Sequence, residues 1–175
     1  MKETPQEYTK RILGYLRAQN PIAVQRSTPA RIERLTQGVR RRRLMRRPAP
    51  GKWSVAEILA HLAETELVGG YRMRMILSAN GTPIQAFDQN KWAEAGKYAR
   101  RDPRQSLALF RGLRAANLAL LRLLRPAQWQ NYGMHAERGK ESIAHIVGLY
   151  AGHDLNHLMQ IERILKPGRK PARRA

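Results

Sequence analysis

The chain has 175 residues, the length of one domain, and its 33 Lys and Arg against 13 Asp and Glu leave a formal charge of +20. With 42% of residues hydrophobic, it carries enough apolar side chain to fill a core, which argues against a disordered basic tail protein. Cysteine is absent, so disulfides, thiolate nucleophiles, Cys-ligated zinc and iron–sulfur clusters are excluded, and any metal must bind through His, Asp or Glu.

No charge-free stretch approaches the roughly 20 apolar residues of a membrane span, and Met1–Lys10 lacks the charged-then-apolar order of a signal peptide. The expectation is a soluble, cytoplasmic protein with no membrane partner. A strongly basic surface attracts polyanions whatever their sequence, but the arginines here recur along nearly every segment. The dense runs are Arg40 to Arg43 with Arg46 and Arg47, and the tail Arg169, Lys170, Arg173 and Arg174. Only 6% of residues are aromatic, too few for an obvious base-stacking platform. Solvated helix faces and a frayed tail are therefore preferred over nucleic-acid binding, which stays open as an alternative.

Proline and glycine divide the chain into helical blocks, with no convincing run of alternating β-branched residues, so the class is all-α. A first helix is expected over about Pro5 to Ala18, stopped by Asn20-Pro21. A second opens at Thr28-Pro29, an N-cap followed by proline, and runs into the arginine cluster until Pro48 and Pro50. The third opens at Trp53-Ser54-Val55-Ala56-Glu57, where Ser54 and Glu57 complete a capping box, and continues to about Leu77. A long loop from Asn80 to Arg101 carries Phe87, Trp92 and Tyr98. Asp102-Pro103 starts a fourth long helix closed by Pro126, and a last one runs from about Ser142 to Leu165. The expected architecture is an up-down four-helix bundle with an additional short N-terminal helix. It spans residues 1–166, followed by a basic, flexible tail over 167–175.

The last helix carries His153 and His157 at the i, i+4 spacing that aims two imidazoles at one point. At about 100° per residue, both fall within or beside the apolar stripe of Ile146, Val147, Tyr150, Leu158 and Ile161, so they face the bundle interior. Asp154 projects onto the same stripe and needs a partner there; it could orient a ligand histidine. His61, near the edge of the apolar face of the third helix, can come opposite the pair. Three nitrogens and an open position would result, a set that suits Zn²⁺ or Ni²⁺. Taken alone, the histidine pair is a weak signal, because core or solvent-exposed histidines at that spacing are common by chance. His145 is expected to face solvent, and His135 lies on the connection before the last helix.

The stretch Trp53-Ser54-Val55-Ala56-Glu57-Ile58-Leu59-Ala60-His61-Leu62-Ala63-Glu64-Thr65-Glu66, followed by His153-Asp154-Leu155-Asn156-His157-Leu158-Met159-Gln160-Ile161, resembles the DinB-like (YfiT-like) metal-binding four-helix-bundle superfamily. The likeness covers most of Pro5 to Leu165. It implies a divalent metal held by His61, His153 and His157, with Asp154 and Gln160 as supporting residues, and it makes a homodimer plausible. Characterised members include thiol-dependent S-transferases and isomerases that use low-molecular-weight thiols.

Of the remaining residues, Glu66 falls on an apolar face and calls for a buried ion pair with an arginine. Glu57 could accept from His61 or act as a general base, although capping already explains it. His135 and Glu57 are thus the candidate proton carriers; no catalytic residue is assigned. Trp53 packs the helix entrance, Trp92 and Tyr98 pack down the long loop or wall a pocket mouth, and Tyr150 is a core residue or a substrate contact. Three functions follow. The first is a metal-dependent thiol S-transferase or hydrolase acting on a small molecule. The second is a non-catalytic, stress-related metal-binding module, and the third is a basic nucleic-acid binder.

Overall fold

A computed structural model describes residues 3–166; the expected tail over 167–175 lies outside the described residues. Capping chemistry places the helices. Thr4 and Ser54 each form a capping box with a glutamate three residues on, opening α1 (Pro5–Gly14) and α4 (Val55–Ser78). Asp102 caps α6 (Pro103–Arg122) and Ser142 caps α7 (Ile143–Leu165).

The second helix departs from expectation. α2 spans Pro21–Thr36, and Asn20, read as a stop, is its N-cap, accepting from the Ala23 amide at 3.0 Å. Thr28 and Pro29 lie inside it. Pro29 has no N–H to bond the Gln25 carbonyl, and Arg114 Nη1 of α6 donates to that carbonyl instead, at 2.7 Å. A tertiary donor thus replaces the missing helical one. Nor does α2 continue into the arginine run: Gly38, at φ +70°, turns the chain, and Arg41–Met45 form a separate short helix, α3. Three arginines of the run have structural partners, Arg41 pairing with Asp102 at 3.4 Å, Arg43 donating to the Leu165 carbonyl at 2.7 Å and Arg47 pairing with Glu57.

The loop expected over Asn80 to Arg101 holds a strand, β1 (Thr82–Ile84), a short helix, α5 (Gln89–Ala95), and one 3-10 turn at Tyr98–Arg100. β1 pairs in parallel with β2 (Tyr132–His135), which pairs antiparallel with β3 (Gly139–Ser142). These strands were not expected. Runs of three or four residues are too short to show alternation, and the parallel pair joins chain segments separated by a whole helix.

The molecule is nevertheless mostly helical. In the bundle α4 packs on α6 and α2 on α7, with α2–α6 and α4–α7 closing the ring. Helices consecutive in the bundle, α2 and α4 or α6 and α7, therefore sit diagonally, which the long connections between them permit. α1 lies across α7 at Gly152, where an added Cβ would stand 2.1 Å from the Ile12 carbonyl oxygen. No helix of the described residues is long and apolar enough to cross a membrane.

The core has two apolar clusters. Ile32, Leu59, Leu62, Phe110, Leu158 and Ile161 belong to one, and Ile76, Leu121, Ile143 and Ile146 to the other. A buried polar group links all four bundle helices. Arg114, 2% exposed, donates to both oxygens of Asp154 at 2.7 and 3.0 Å, to Glu66 Oε1 at 3.0 Å and to the Gln25 carbonyl. Asn117 donates to Glu66 Oε2 at 3.0 Å. The arginine partner expected for Glu66 is thus Arg114.

Candidate metal centre

α4 and α7 pack against each other and bring His61 opposite His153 and His157. His153 Nε2 lies 3.0 Å from His61 Nε2 and 3.0 Å from His157 Nε2. The rings are mutually tilted, by 60° between His61 and His153 and by 77° between His153 and His157, so their edges, not their faces, converge. All three are buried. Desolvation, followed by the neighbouring histidines, holds each of them well below the ordinary histidine value, so they are neutral at pH 7 with lone pairs available.

The tautomers can be followed partway. Gln160 Oε1 stands 3.0 Å from His157 Nδ1, so a proton on Nδ1 donates to it and His157 Nε2 is left as a bare lone pair. His153 Nε2 then faces two nitrogens, although a neutral ring nitrogen offers one in-plane hydrogen or one in-plane lone pair. One hydrogen bond can be made, and the other contact is left unpaired. A cation accepting all three lone pairs removes that conflict. The spacing also fits, since two nitrogens on one tetrahedral zinc stand about 3.4 Å apart. The donor set therefore matches a divalent ion.

The supporting shell differs from expectation at Asp154. Asp154 directs its carboxylate to Arg114 and makes no hydrogen bond to a histidine; desolvation raises its carboxyl above the usual value, against the pull of Arg114. Successive helical residues point about 100° apart, so Asp154 serves the ion-pair layer while His153 serves the cluster. Glu57 is also committed elsewhere, to the Ser54 amide and hydroxyl at 2.8 Å each and to Arg47. Burial pushes its carboxyl up, but Arg47 and Ser54 outweigh this and hold it below the usual range, far from a base poised near neutrality. Gln160 does touch a histidine of the cluster. His135 stands outside the cluster at the end of β2; its Nδ1 accepts from the Glu137 amide at 3.1 Å, and burial and then Arg138 depress its basicity.

Two cavities flank the histidines. One, of about 530 Å³, is lined by His153, His157, Gln160, Trp53, Lys52 and Arg163 among others. The other, of about 380 Å³, is lined by His61, His153, Thr65, Tyr150 and Arg72 among others. Tyr8, Gln89 and Asn90 border both. Trp53 packs its ring 4.8 Å from that of His61. Trp92 packs at a tilt against Phe87 instead and lines a separate apolar groove, and Tyr98 donates to Glu64 at 2.6 Å.

Sequence reasoning missed Arg114 and Arg72. Arg114 occupies a core position four residues from both Phe110 and Leu118, and a charge in that stripe was the available signal. Arg72 lies beside the stripe of α4 and carried no such mark.

The DinB superfamily model matches residues 25–161. A relative from Oceanobacillus iheyensis is 30% identical over 116 residues, 66% of this chain and 67% of the relative. YfiT of Bacillus subtilis is 28% identical over 145 residues, 82% of this chain and 81% of the relative. The names of both propose metal-dependent hydrolysis. The solved structure of YfiT, described as a probable metal-dependent hydrolase with an unusual four-helix bundle topology, superposes with a TM-score of 0.74 at 23% identity. The match covers 93% of this chain and 89% of that one, and it shows a shared fold. The chain belongs to the DinB superfamily.

Proposed function

We propose that the chain is a metal-dependent enzyme of the hydrolase type, in which His61, His153 and His157 hold a divalent ion, Zn²⁺ or Ni²⁺, beside a cavity for a small molecule. The observation that carries this reading is the convergence of three neutral imidazole nitrogens, two of them 3.0 Å from the third, at the wall of two cavities. The names of the relatives agree with it. When bound, such an ion supplies Lewis acidity and lowers the pKa of a coordinated water or thiol. The protein's part is to keep the three histidines unprotonated by burial, to orient His157 through Gln160, and to restrict solvent access with Trp53, Tyr8 and α5. Glu57 and His135, the candidate proton carriers, are engaged elsewhere, by Arg47 and Ser54 and by the Glu137 amide.

The test is turnover by the Zn²⁺- or Ni²⁺-loaded chain on panels of esters, amides and electrophiles with low-molecular-weight thiols. Hydrolysis that vanishes in His153→Ala supports the proposal. Transfer to thiols alone would replace it with the S-transferase reading, and turnover equal to that of His153→Ala on every panel would leave a non-catalytic metal module.

A second reading concerns the charge. A groove of about 820 Å³ between α2, α3 and α6 is lined by Arg34, Arg40, Arg41, Arg104 and Arg111. Arg41 and Arg111 reach Asp102 and Glu33, while Arg34, Arg40 and Arg104 make no ion pair among the described residues. This favours a nucleic-acid backbone as a partner, separate from the histidines. Retention on DNA that falls steeply with salt, and that replacing Arg34, Arg40 and Arg104 by Gln abolishes, supports it; no retention at low salt ends it.

A further inference from the structure

Two arginines of the described residues are buried, and they differ in one respect. Arg114 meets two carboxylates, whereas Arg72, 7% exposed, forms no ion pair with any described residue. Its Nη2 donates to the Gln85 carbonyl at 2.7 Å, and its guanidinium lies 5.7 Å from the centre of the Phe87 ring. A buried cation with no counter-charge is costly unless something supplies one.

Arg72 lines the cavity of about 380 Å³ together with His61, Thr65, Tyr150 and His153. On α4 the positions 61, 65 and 72 share one face. The Cα atoms of His61 and Arg72 are about 16 Å apart along the helix, and side chains tilt toward the N-terminus, which brings the guanidinium back toward the histidines. Tyr150 reaches into the same space from α7. Gly69 makes room for it: an added Cβ there would stand 2.4 Å from Tyr150 Cε1 and 2.9 Å from its hydroxyl. The Tyr150 hydroxyl has no hydrogen-bond partner among the described residues, and burial pushes the phenol up, so it remains an O–H donor.

The other charges around this cavity are accounted for. Arg138 is bound through two nitrogens to Glu141, at 2.7 and 3.1 Å. Glu3 is held by Arg11, Asp88 caps α5, and Glu137 is exposed at the rim. Among the described residues, Arg72 is therefore the cation of the inner wall that forms no ion pair.

We propose that this cavity receives a small molecule bearing an oxyanion, a carboxylate or a phosphate. Arg72 holds it through paired N–H donors and the Tyr150 hydroxyl adds a third, so the rest of the molecule is directed at His61 and His153. This names the substrate class for the enzyme proposed above and rests on that reading. A guanidinium suits either group because its planar fork matches two oxygens at once.

The test uses glutarate and methyl phosphate as probes, titrated calorimetrically into the full chain with and without Zn²⁺, with metal content measured on each sample. At least one probe should bind in both forms. Arg72→Gln should weaken it by about tenfold or more, Arg72→Lys by less, and Tyr150→Phe by about threefold, with metal content unchanged. Which probe binds separates carboxylate from phosphate. If neither binds, or if Arg72→Gln and Tyr150→Phe bind as well as the parent chain, the proposal is wrong; Arg72 then only latches the Gln85 carbonyl, and its variants shift the thermal midpoint alone. Tyr150→Phe keeps the test decisive should the Arg72 variants fail to fold. A chain that holds no metal yet binds oxyanions through Arg72 overturns the metal reading and leaves the oxyanion site standing without the metal chemistry.

Discussion

Glu66 and His61 belong to the same helix, as do Asp154 and His153, yet one member of each pair serves a closed polar layer and the other an open cluster. In the layer, Arg114 uses four N–H donors on two carboxylates and a carbonyl freed by Pro29, and its Nε alone lacks a partner among the described residues. In the cluster, His153 Nε2 faces two nitrogens and can satisfy only one of them. Both sites are buried and polar, so burial does not separate them. Charge matching does: in the layer a cation meets two carboxylates, whereas the cluster sets nitrogen against nitrogen with nothing to share between them, and such a set points to something bound.

That contrast can be broken from the structural side first. Arg114→Met would leave Glu66 and Asp154 facing each other without a cation, and should destabilise the fold by about 3–5 kcal/mol. Urea denaturation should show this loss equally with and without metal, since the cluster is not involved. An unchanged midpoint would mean that the layer contributes nothing. On the functional side, Gln160→Ala should lower metal affinity by about 10- to 100-fold, because Gln160 fixes the tautomer of His157. Competition with a chelator measures it, and stability without metal should barely move.

Acidification sharpens the comparison further. Burial holds the three histidines well below their unfolded value near 6.5. Between those limits the unfolded chain binds more protons than the folded one. Stability is therefore present above about pH 6.5 and is lost as pH falls, by up to about 1.4 kcal/mol per pH unit per histidine. Denaturation of the metal-free chain at several pH values checks it, and a flat profile from pH 7 to 5 would contradict the neutral, buried cluster. The smallest effect is expected at Ser54→Ala, about 1 kcal/mol from the lost cap of α4, read as a shifted thermal midpoint.

What the sequence disclosed divides along the same line. The capping box of Ser54 and Glu57, the spacing of His153 and His157, and the position of His61 are local patterns, and each is visible in a few consecutive residues. The partner of Asp154 is not: Arg114 lies 40 positions away on another helix, so the sequence shows that the carboxylate needs a partner but not which one. The start of α2 is ambiguous in the sequence because Asn20-Pro21 and Thr28-Pro29 carry the same cap-and-proline signal, and Arg114, donating to the Gln25 carbonyl, makes a proline inside the helix tolerable. β1 and β2 pair across the whole of α6, a relation no local window contains. Arg72 carries no signal of its own, since an arginine on a helix of a strongly basic chain is ordinary until its surroundings are known.

The central claim is that His61, His153 and His157 act as one ligand set, and elemental analysis of protein purified without a histidine tag tests it most directly. The account predicts about one equivalent of a divalent transition metal per chain, lost in His153→Ala while helical circular dichroism is retained. A folded parent chain that takes up no metal on reconstitution, or a His153→Ala chain that holds as much as the parent, would contradict it.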